Sequence, residues 1–102
     1  MKTIEMLSHR ISDELEGAED YITEALQLRD SDKHLADTLY EISGQEMNHV
    51  SLLHGEATRL IEEYKQTNRQ PHENMVMLYE YLHKQHIKRA GKIKAMQQMY
   101  RE

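Results

Sequence analysis

Apolar residues recur at every third or fourth position along three long segments of this chain, which are separated by two short polar stretches. Spacing of i, i+3, i+4 and i+7 gathers apolar side chains on one face of a helix, and no segment shows the alternation of a strand. The segments cover about residues 3–29, 32–66 and 71–101. The pattern therefore predicts an all-α fold in which three long helices account for nearly the whole chain.

The polar stretches between these segments are short enough to turn the chain back on itself. The first, RDSDK, offers Asp30, Ser31 and Asp32 as caps for the second helix. The second, TNRQP, ends in Pro71, which suits the first turn of a third helix. Helices joined by short connections pack antiparallel. We therefore expect one domain over residues 1–102, built as a long antiparallel helical hairpin plus a C-terminal helix.

The core of such a domain would be thin, because only 38% of the 102 residues are hydrophobic and both Trp and Phe are absent. Pairing of protomers would bury more apolar area, so a homodimer or higher homo-oligomer is expected. The absence of cysteine excludes disulfides and thiolate metal sites. The sequence shows no signal peptide and no apolar run of membrane length, so a soluble cytoplasmic protein is expected.

Charge is divided unevenly between the two ends of the chain. Residues 1–64 carry 15 Asp and Glu against 5 Lys and Arg, a net −10, whereas residues 65–102 carry 8 Lys and Arg against 3 Glu, a net +5. The simplest interpretation is that the basic third helix lies on an acidic surface of its own chain or of another subunit. A nucleic acid or an acidic ligand is the alternative partner for this helix.

Two polar residues interrupt the apolar stripe of the second helix. The stripe runs Ile42, Glu46, His49, Leu53, and the i, i+3 spacing sets the carboxylate and the imidazole on one face. With the first turn centred near residue 30, Glu14 on the stripe of the first helix lies level with Glu46. A buried Glu needs a cation or hydrogen-bond partners. The three side chains therefore point to a shared metal ion, with a Glu–His ion pair as the metal-free interpretation.

Pairing two such hairpins around a two-fold axis would supply four carboxylates and two histidines. Four-helix bundles hold two iron or manganese ions with this complement. Carboxylates with a few imidazoles suit iron, manganese or zinc, and they would not select copper.

The stretches DELEGAEDY (residues 13–21) and EISGQEMNHVSLLH (residues 41–54) resemble the ferritin-like superfamily, in particular rubrerythrin-type and encapsulated-ferritin proteins. Glu14 and Tyr21 match the family's Glu followed by Tyr seven residues later, and Glu46 with His49 match its Glu-x-x-His. The resemblance implies a four-helix bundle that is completed by dimerisation and holds iron, two ions per dimer, with Mn or Zn as alternatives. It implies Glu14 and Glu46 as carboxylate ligands, His49 as a terminal ligand and Tyr21 as a residue beside the centre.

The activity implied by the resemblance is binding of Fe(II) and its oxidation by O₂ or peroxide, as in a ferroxidase or an oxidant-scavenging protein. The resemblance also allows enclosure in a larger protein shell, and nucleic acid is then not the expected partner. The interval between ligands in some encapsulated ferritins would select Glu16 instead of Glu14, but Glu14 is preferred here because it lies on the apolar stripe. The lack of cysteine excludes a rubredoxin-like iron centre, and the third helix has no clear counterpart in the family's usual fold.

A second Glu-x-x-His, Glu80 with His83, occurs in the third helix. With the second turn centred near residue 69, Glu80 lies level with residue 58 and far from the first site. These residues would form a separate site with Glu56 or meet a partner chain, and a surface position is the simpler interpretation. Of the other histidines, His86 on the apolar stripe is expected to be a hydrogen-bonded core residue, and His54 is expected to be solvated.

A function of a different class also fits the sequence. The chain would then be a metal-free helical interaction module that binds a protein or nucleic acid through its bundle surface or its basic C-terminal helix. Metal in the purified protein that is lost on His49→Ala would distinguish the metal-binding hypothesis from this one.

Overall fold

The computed structural model describes residues 2–66 and 73–102, with side chains described in 2–66 and 77–102. Three helices occupy nearly all of these ranges: α1 (Lys2–Leu28), α2 (Lys33–Gln66) and α3 (Glu73–Arg101). The all-α fold class is confirmed, and the described residues include no strand. Pro71 and the predicted start of the third helix lie outside the described residues. Within the described ranges, no helix combines the length and apolar character needed to cross a membrane.

The turn between α1 and α2 is closed at the end of one helix and capped at the start of the next. The amides of Ser31 and Asp32 donate to the Leu28 carbonyl oxygen at 3.1 and 2.8 Å. Asp32 Oδ1 accepts from the Leu35 amide at 3.1 Å, which is the hydrogen bond from an N-cap side chain to the third residue of the helix. Of the three predicted caps, Asp32 therefore begins α2.

The first two helices pack as an antiparallel hairpin, as predicted. Ile4 and Leu7, near the start of α1, share a buried cluster with Ala57, in the second half of α2. The Ser43 hydroxyl of α2 donates to the Ala18 carbonyl oxygen of α1 at 2.7 Å. The buried residues of α1 are Ile4, Leu7, Ser8, Ile11, Leu15, Ala18, Ile22 and Ala25.

The buried face of α2 differs from the predicted stripe. Its buried residues are Ala36, Ser43, Met47 and Ala57. By contrast, Leu35 of the predicted stripe is 42% exposed, and Ile42 is half-buried. α2 packs against both α1 and α3, so its buried arc lies between two neighbours and falls on small residues that allow close approach of the helices. The predicted stripe, with Glu46 and His49, lies along one flank of this arc.

The C-terminal half of α3 is anchored on the hairpin beside the first turn. Ile93 is fully buried, and the Tyr100 ring stacks on Tyr40 with ring centroids 4.7 Å apart. The Tyr100 hydroxyl donates to Asp37 Oδ1 at 2.5 Å. Arg29 Nη1 donates to the Tyr100 carbonyl oxygen at 3.3 Å, which satisfies an acceptor that the helix end leaves without an intrahelical partner.

The basic helix also contacts an acidic side chain of its own chain, as the charge asymmetry predicted. Arg89 Nε and Lys92 Nζ lie 3.5 and 3.4 Å from the carboxylate oxygens of Glu19 on α1. α3 therefore packs in the groove between α1 and α2 through apolar contacts, with charge pairing at its edge.

Candidate metal centre

Glu14, Glu46 and His49 come together on one side of the hairpin. One ligand atom from each side chain lies within 4.8 Å of the other two. Within the group, His49 Nδ1 and Glu14 Oε2 are in direct contact, 3.3 Å apart. Among residues 2–66 and 77–102, this is the only group of three His, Asp or Glu side chains close enough to share an ion.

The packing of the hairpin sets the positions of these side chains. Leu15 and Ala18 on α1 are fully buried, and Met47 on α2 packs in the same cluster. Each of these core residues is next to a candidate ligand or within one turn of it. Because the core side chains fix the distance between the two helices, they also hold the backbone positions of Glu14 and Glu46.

Gly17 provides the space in which the Glu46 carboxylate lies. A Cβ at residue 17 would be 3.5 Å from Glu46 Oε2 and 3.6 Å from Glu46 Cδ. These are ordinary van der Waals distances, so alanine would fit, whereas a branched side chain would compete with the carboxylate. Glycine inside a helix costs up to about 1 kcal/mol relative to alanine. The helix bears this cost at a position where atoms beyond Cβ would crowd the Glu46 carboxylate.

The site faces away from α3 and opens to solvent. The side chain of His49 is 52% exposed and that of Glu14 is 28% exposed. The α1 residues that contact α3 include Ser12 and Glu19. At about 100° per residue, Glu14 lies on the far side of α1 from both of them. A second chain or solvent can therefore reach the ligands without displacing α3.

The contact between Glu14 and His49 also has a metal-free interpretation as an exposed ion pair. Such pairs contribute about 0–1 kcal/mol, and this one is long for a charge-assisted hydrogen bond. A single histidine cannot neutralise two carboxylates, so the group keeps a net negative charge in either protonation state of the ring. A divalent cation would compensate that charge, because carboxylate and imidazole are ligands for such ions.

Other candidate residues of the first hairpin are not part of this group: the lower-ranked ligands Glu16 and Glu56, and Tyr21, which was expected beside the centre and not as a ligand. Glu16 is exposed and lies about 200° around α1 from Glu14, and its carboxylate is not in the group formed by Glu14, Glu46 and His49. Tyr21 is half-buried and lies about 10 Å along α1 from Glu14. Glu56 pairs with Arg59, whose Nη2 is 2.8 Å from the Glu56 Oε2 atom.

The second Glu-x-x-His does not gather a third ligand among the described residues. Glu80 is exposed, whereas His83 stacks on His54 with ring centroids 4.4 Å apart and planes 1° apart. Lone pairs of imidazole nitrogens lie in the ring plane, so two parallel stacked rings do not converge on one ion. The predicted separation of Glu80 from the first site therefore agrees with the structure, and stacking is the observed role of His83.

A cluster of histidines between α2 and α3 was missed by the sequence reasoning. His54 was expected to be solvated, and this prediction is wrong because α3 covers it: the ring is half-buried, and Nδ1 lies 3.5 Å from the Tyr79 hydroxyl. Burial lowers the pKa of His54, and the neighbouring His83 lowers this pKa further. The i, i+4, i+7 spacing of Tyr79, His83 and His86 was the signal that could have revealed one aromatic face of α3.

His86 is hydrogen-bonded, as predicted, but it is half-buried and does not belong to the core. Its Nε2 lies 2.9 Å from the Ser12 hydroxyl oxygen on α1. Burial is the main cause that lowers the pKa of His86, and the positive charges of His83 and Arg89 lower it as well. The hydrogen bond between His86 and Ser12 joins α3 to α1.

The chain was compared with models of known protein families, with curated proteins and with solved structures, and none of the three comparisons finds a match.

Proposed function

We propose that this chain is a ferritin-like metal-binding protein whose Glu14, Glu46 and His49 hold one divalent ion, with iron foremost and Mn or Zn as alternatives. The observation that supports the proposal is the convergence of these three ligand atoms within 4.8 Å of one another. The convergence is independent of the family resemblance, because it follows from the register of the hairpin.

The donor set fits such an ion. Bonds from nitrogen or carboxylate oxygen to a metal of this class are about 2.0–2.2 Å long, so two ligands of one ion are at most about 4.4 Å apart. The 3.3 Å between His49 Nδ1 and Glu14 Oε2 already falls within that limit. The widest separation, up to 4.8 Å, needs a small side-chain rotation. The exposed His49 and the partly exposed Glu14 can make that rotation without moving the backbone.

Each ligand has a distinct part in the proposed site. Glu46 lies over Gly17 and is the candidate for a carboxylate shared between two ions. Glu14 supplies a carboxylate ligand from α1, the opposite helix of the hairpin. His49 is a terminal ligand at the solvent side, where its ring must be neutral to coordinate. Iron is here the substrate as well as the ligand-bound ion, and its oxidation by O₂ or peroxide is the activity that the ferritin-like resemblance implies.

We propose further that a second copy completes the site. Three protein ligands leave coordination positions free, and the site lies on the open face of the hairpin. The same flank of α2 carries Leu35, which is 42% exposed, and the half-buried Ile42 and Leu53. Two hairpins that cover these apolar residues face to face would form a four-helix bundle with four carboxylates and two histidines.

The test is an anaerobic Fe(II) titration of the chelator-treated protein, with bound iron per chain and mass in solution both measured. The expected result is about one iron per chain on a dimer or a multiple of it. His49→Ala should remove saturable binding, whereas His9→Ala, at an exposed histidine of α1, should not. Wild-type protein that binds no iron, manganese or zinc saturably would contradict the proposal.

A second measurement separates coordination from simple ion pairing. Glu46→Ala should lower the stability of the dimer more in the presence of the metal than after chelation, because the lost ligand matters only when an ion is bound. Equal effects in the two conditions would argue for a structural role of Glu46. In that case a metal-free interaction module becomes the better description of the chain.

A further inference from the structure

A groove lies between α1 and the middle of α3, on the opposite side of α1 from Glu14 of the candidate metal centre. Its volume is about 560 Å³. The polar residues that line it are Ser12, Gln85, His86, Lys88, Arg89 and Lys92. The groove therefore brings three fixed positive charges together with a hydroxyl, an amide and an imidazole.

The positive charge of this groove follows from the sequence of α3. Residues 81–101 include six Lys and Arg and no Asp or Glu. Gln85, Lys88, Arg89 and Lys92 are spaced i, i+3, i+4 and i+7, so they share one face of the helix. Packing of α3 against α1 turns this face into one wall of the groove.

Among the side chains that the structure describes, only one carboxylate contacts the cations of the groove. One carboxylate, Glu19, contacts both Arg89 and Lys92, at 3.5 and 3.4 Å. Charge-assisted hydrogen bonds are normally about 2.7–2.9 Å long, so both contacts are weak. The side chains stay accessible, with Arg89 38% and Lys92 64% exposed. Lys88 adds a third, exposed cation.

We infer that this groove binds a small polyanion, with a phosphate or polyphosphate group held by Lys88, Arg89 and Lys92. Arginine donates in a planar fork that matches phosphate oxygens, and lysine supplies a compact charge. The Gln85 amide and the Ser12 hydroxyl offer further hydrogen-bond donors at the same groove. This inference does not depend on the metal site.

The surroundings of the groove favour a small ligand over a nucleic acid. The cationic stripe from Gln85 to Lys92 is about 10 Å long. On α1, the exposed carboxylates of Asp13, Glu16 and Asp20 lie within about 100° of Ser12 around the helix axis. An extended phosphodiester chain would have to pass these negative charges, whereas a compact polyanion can stay among the cations.

The experiment is a calorimetric titration of the chelator-treated full chain with sodium tripolyphosphate. Saturable binding of one tripolyphosphate per chain is expected. Lys92→Gln should weaken it about tenfold, the usual cost of losing a charged hydrogen bond. Lys94→Gln is the matched control, because Lys94 is exposed on the same helix but does not line the groove. Equal loss in the two variants, or no saturable binding by the wild type, would overturn the inference.

A variant that binds tripolyphosphate more tightly provides a stricter test, because a loss of folding cannot increase affinity. Glu19→Gln frees Arg89 and Lys92 for the ligand and should tighten tripolyphosphate binding by several-fold. Glu24→Gln makes the same change in net charge at an exposed residue of α1 more than one turn from Glu19 and should have little effect. Equal gains in both variants would show attraction to overall charge and overturn the inference. So would a single-stranded oligonucleotide that binds more tightly than tripolyphosphate and is equally sensitive to Lys92→Gln and Lys94→Gln.

Discussion

Substitutions at Gly17 separate the stability of the hairpin from its ability to bind metal. In Gly17→Ala the new Cβ would lie 3.5 Å from Glu46 Oε2, an ordinary contact that requires no displacement. Alanine is favoured over glycine inside a helix by about 0.8–1.0 kcal/mol. The expected gain in unfolding free energy is therefore about 0.5–1 kcal/mol, which for a domain of this size raises the melting temperature by about 2–8 °C.

Gly17→Val should instead act on the site. Valine adds two methyl carbons about 1.5 Å beyond Cβ, and its one favoured rotamer in a helix leaves little freedom to turn them away. The Glu46 carboxylate would be displaced, so Fe(II) binding should weaken by about 10–100-fold, as is usual when the support of a ligand is removed.

Thermal unfolding followed by circular dichroism and anaerobic Fe(II) titration measure the two effects. Gly44→Ala and Gly91→Val are the controls, because a Cβ at either position meets nothing within 4 Å. Gly44→Ala should stabilise the helix as Gly17→Ala does, and Gly91→Val should leave iron binding unchanged. Gly17→Val with wild-type iron affinity would refute the reasoning that the carboxylate needs the space above residue 17.

Other predictions concern the contacts that hold the three helices together. Ser43→Ala removes a buried hydroxyl that donates to the Ala18 carbonyl oxygen. It should lower the unfolding free energy, measured by chemical denaturation, by about 1–3 kcal/mol. A change within experimental error would contradict this role of the hydroxyl. The pKa values of His54 and His86 are lowered in the folded chain, so as the pH falls the unfolded chain takes up protons before the folded chain does. The unfolding free energy should therefore fall as the pH drops through 6.5. This fall should be smaller in His86→Gln. Burial, followed by the hydrogen bond to Asp37, raises the pKa of Tyr100 to about 12. Near-ultraviolet titration should show a lower pKa for this tyrosine in Asp37→Asn. An unchanged pKa would count against the contact.

The sequence determined the helices and the register in which α1 and α2 pack against each other. Periodic apolar residues with Asp32 as a cap are local signals, and they predicted α1 and α2 to within one residue at each end. The short turn then fixed the antiparallel register, which set Glu14 opposite Glu46 and brought His49 to the same place. A candidate site that depends only on helix periodicity and one tight turn can be predicted in this way.

The tertiary structure decided which arc of each helix is buried. Periodicity shows that a helix has an apolar side, but a helix between two neighbours buries the arc that both of them cover, and that arc depends on where α3 packs. For this reason Leu35 is exposed while the small Ala36 is buried, and His54 is covered by α3. The cation-lined groove has the same origin, since Lys88 and Lys92 line a groove with Ser12 only because α3 lies beside α1. Contacts between residues far apart in the chain therefore determined the buried arcs and the groove. No local sequence pattern encodes such contacts.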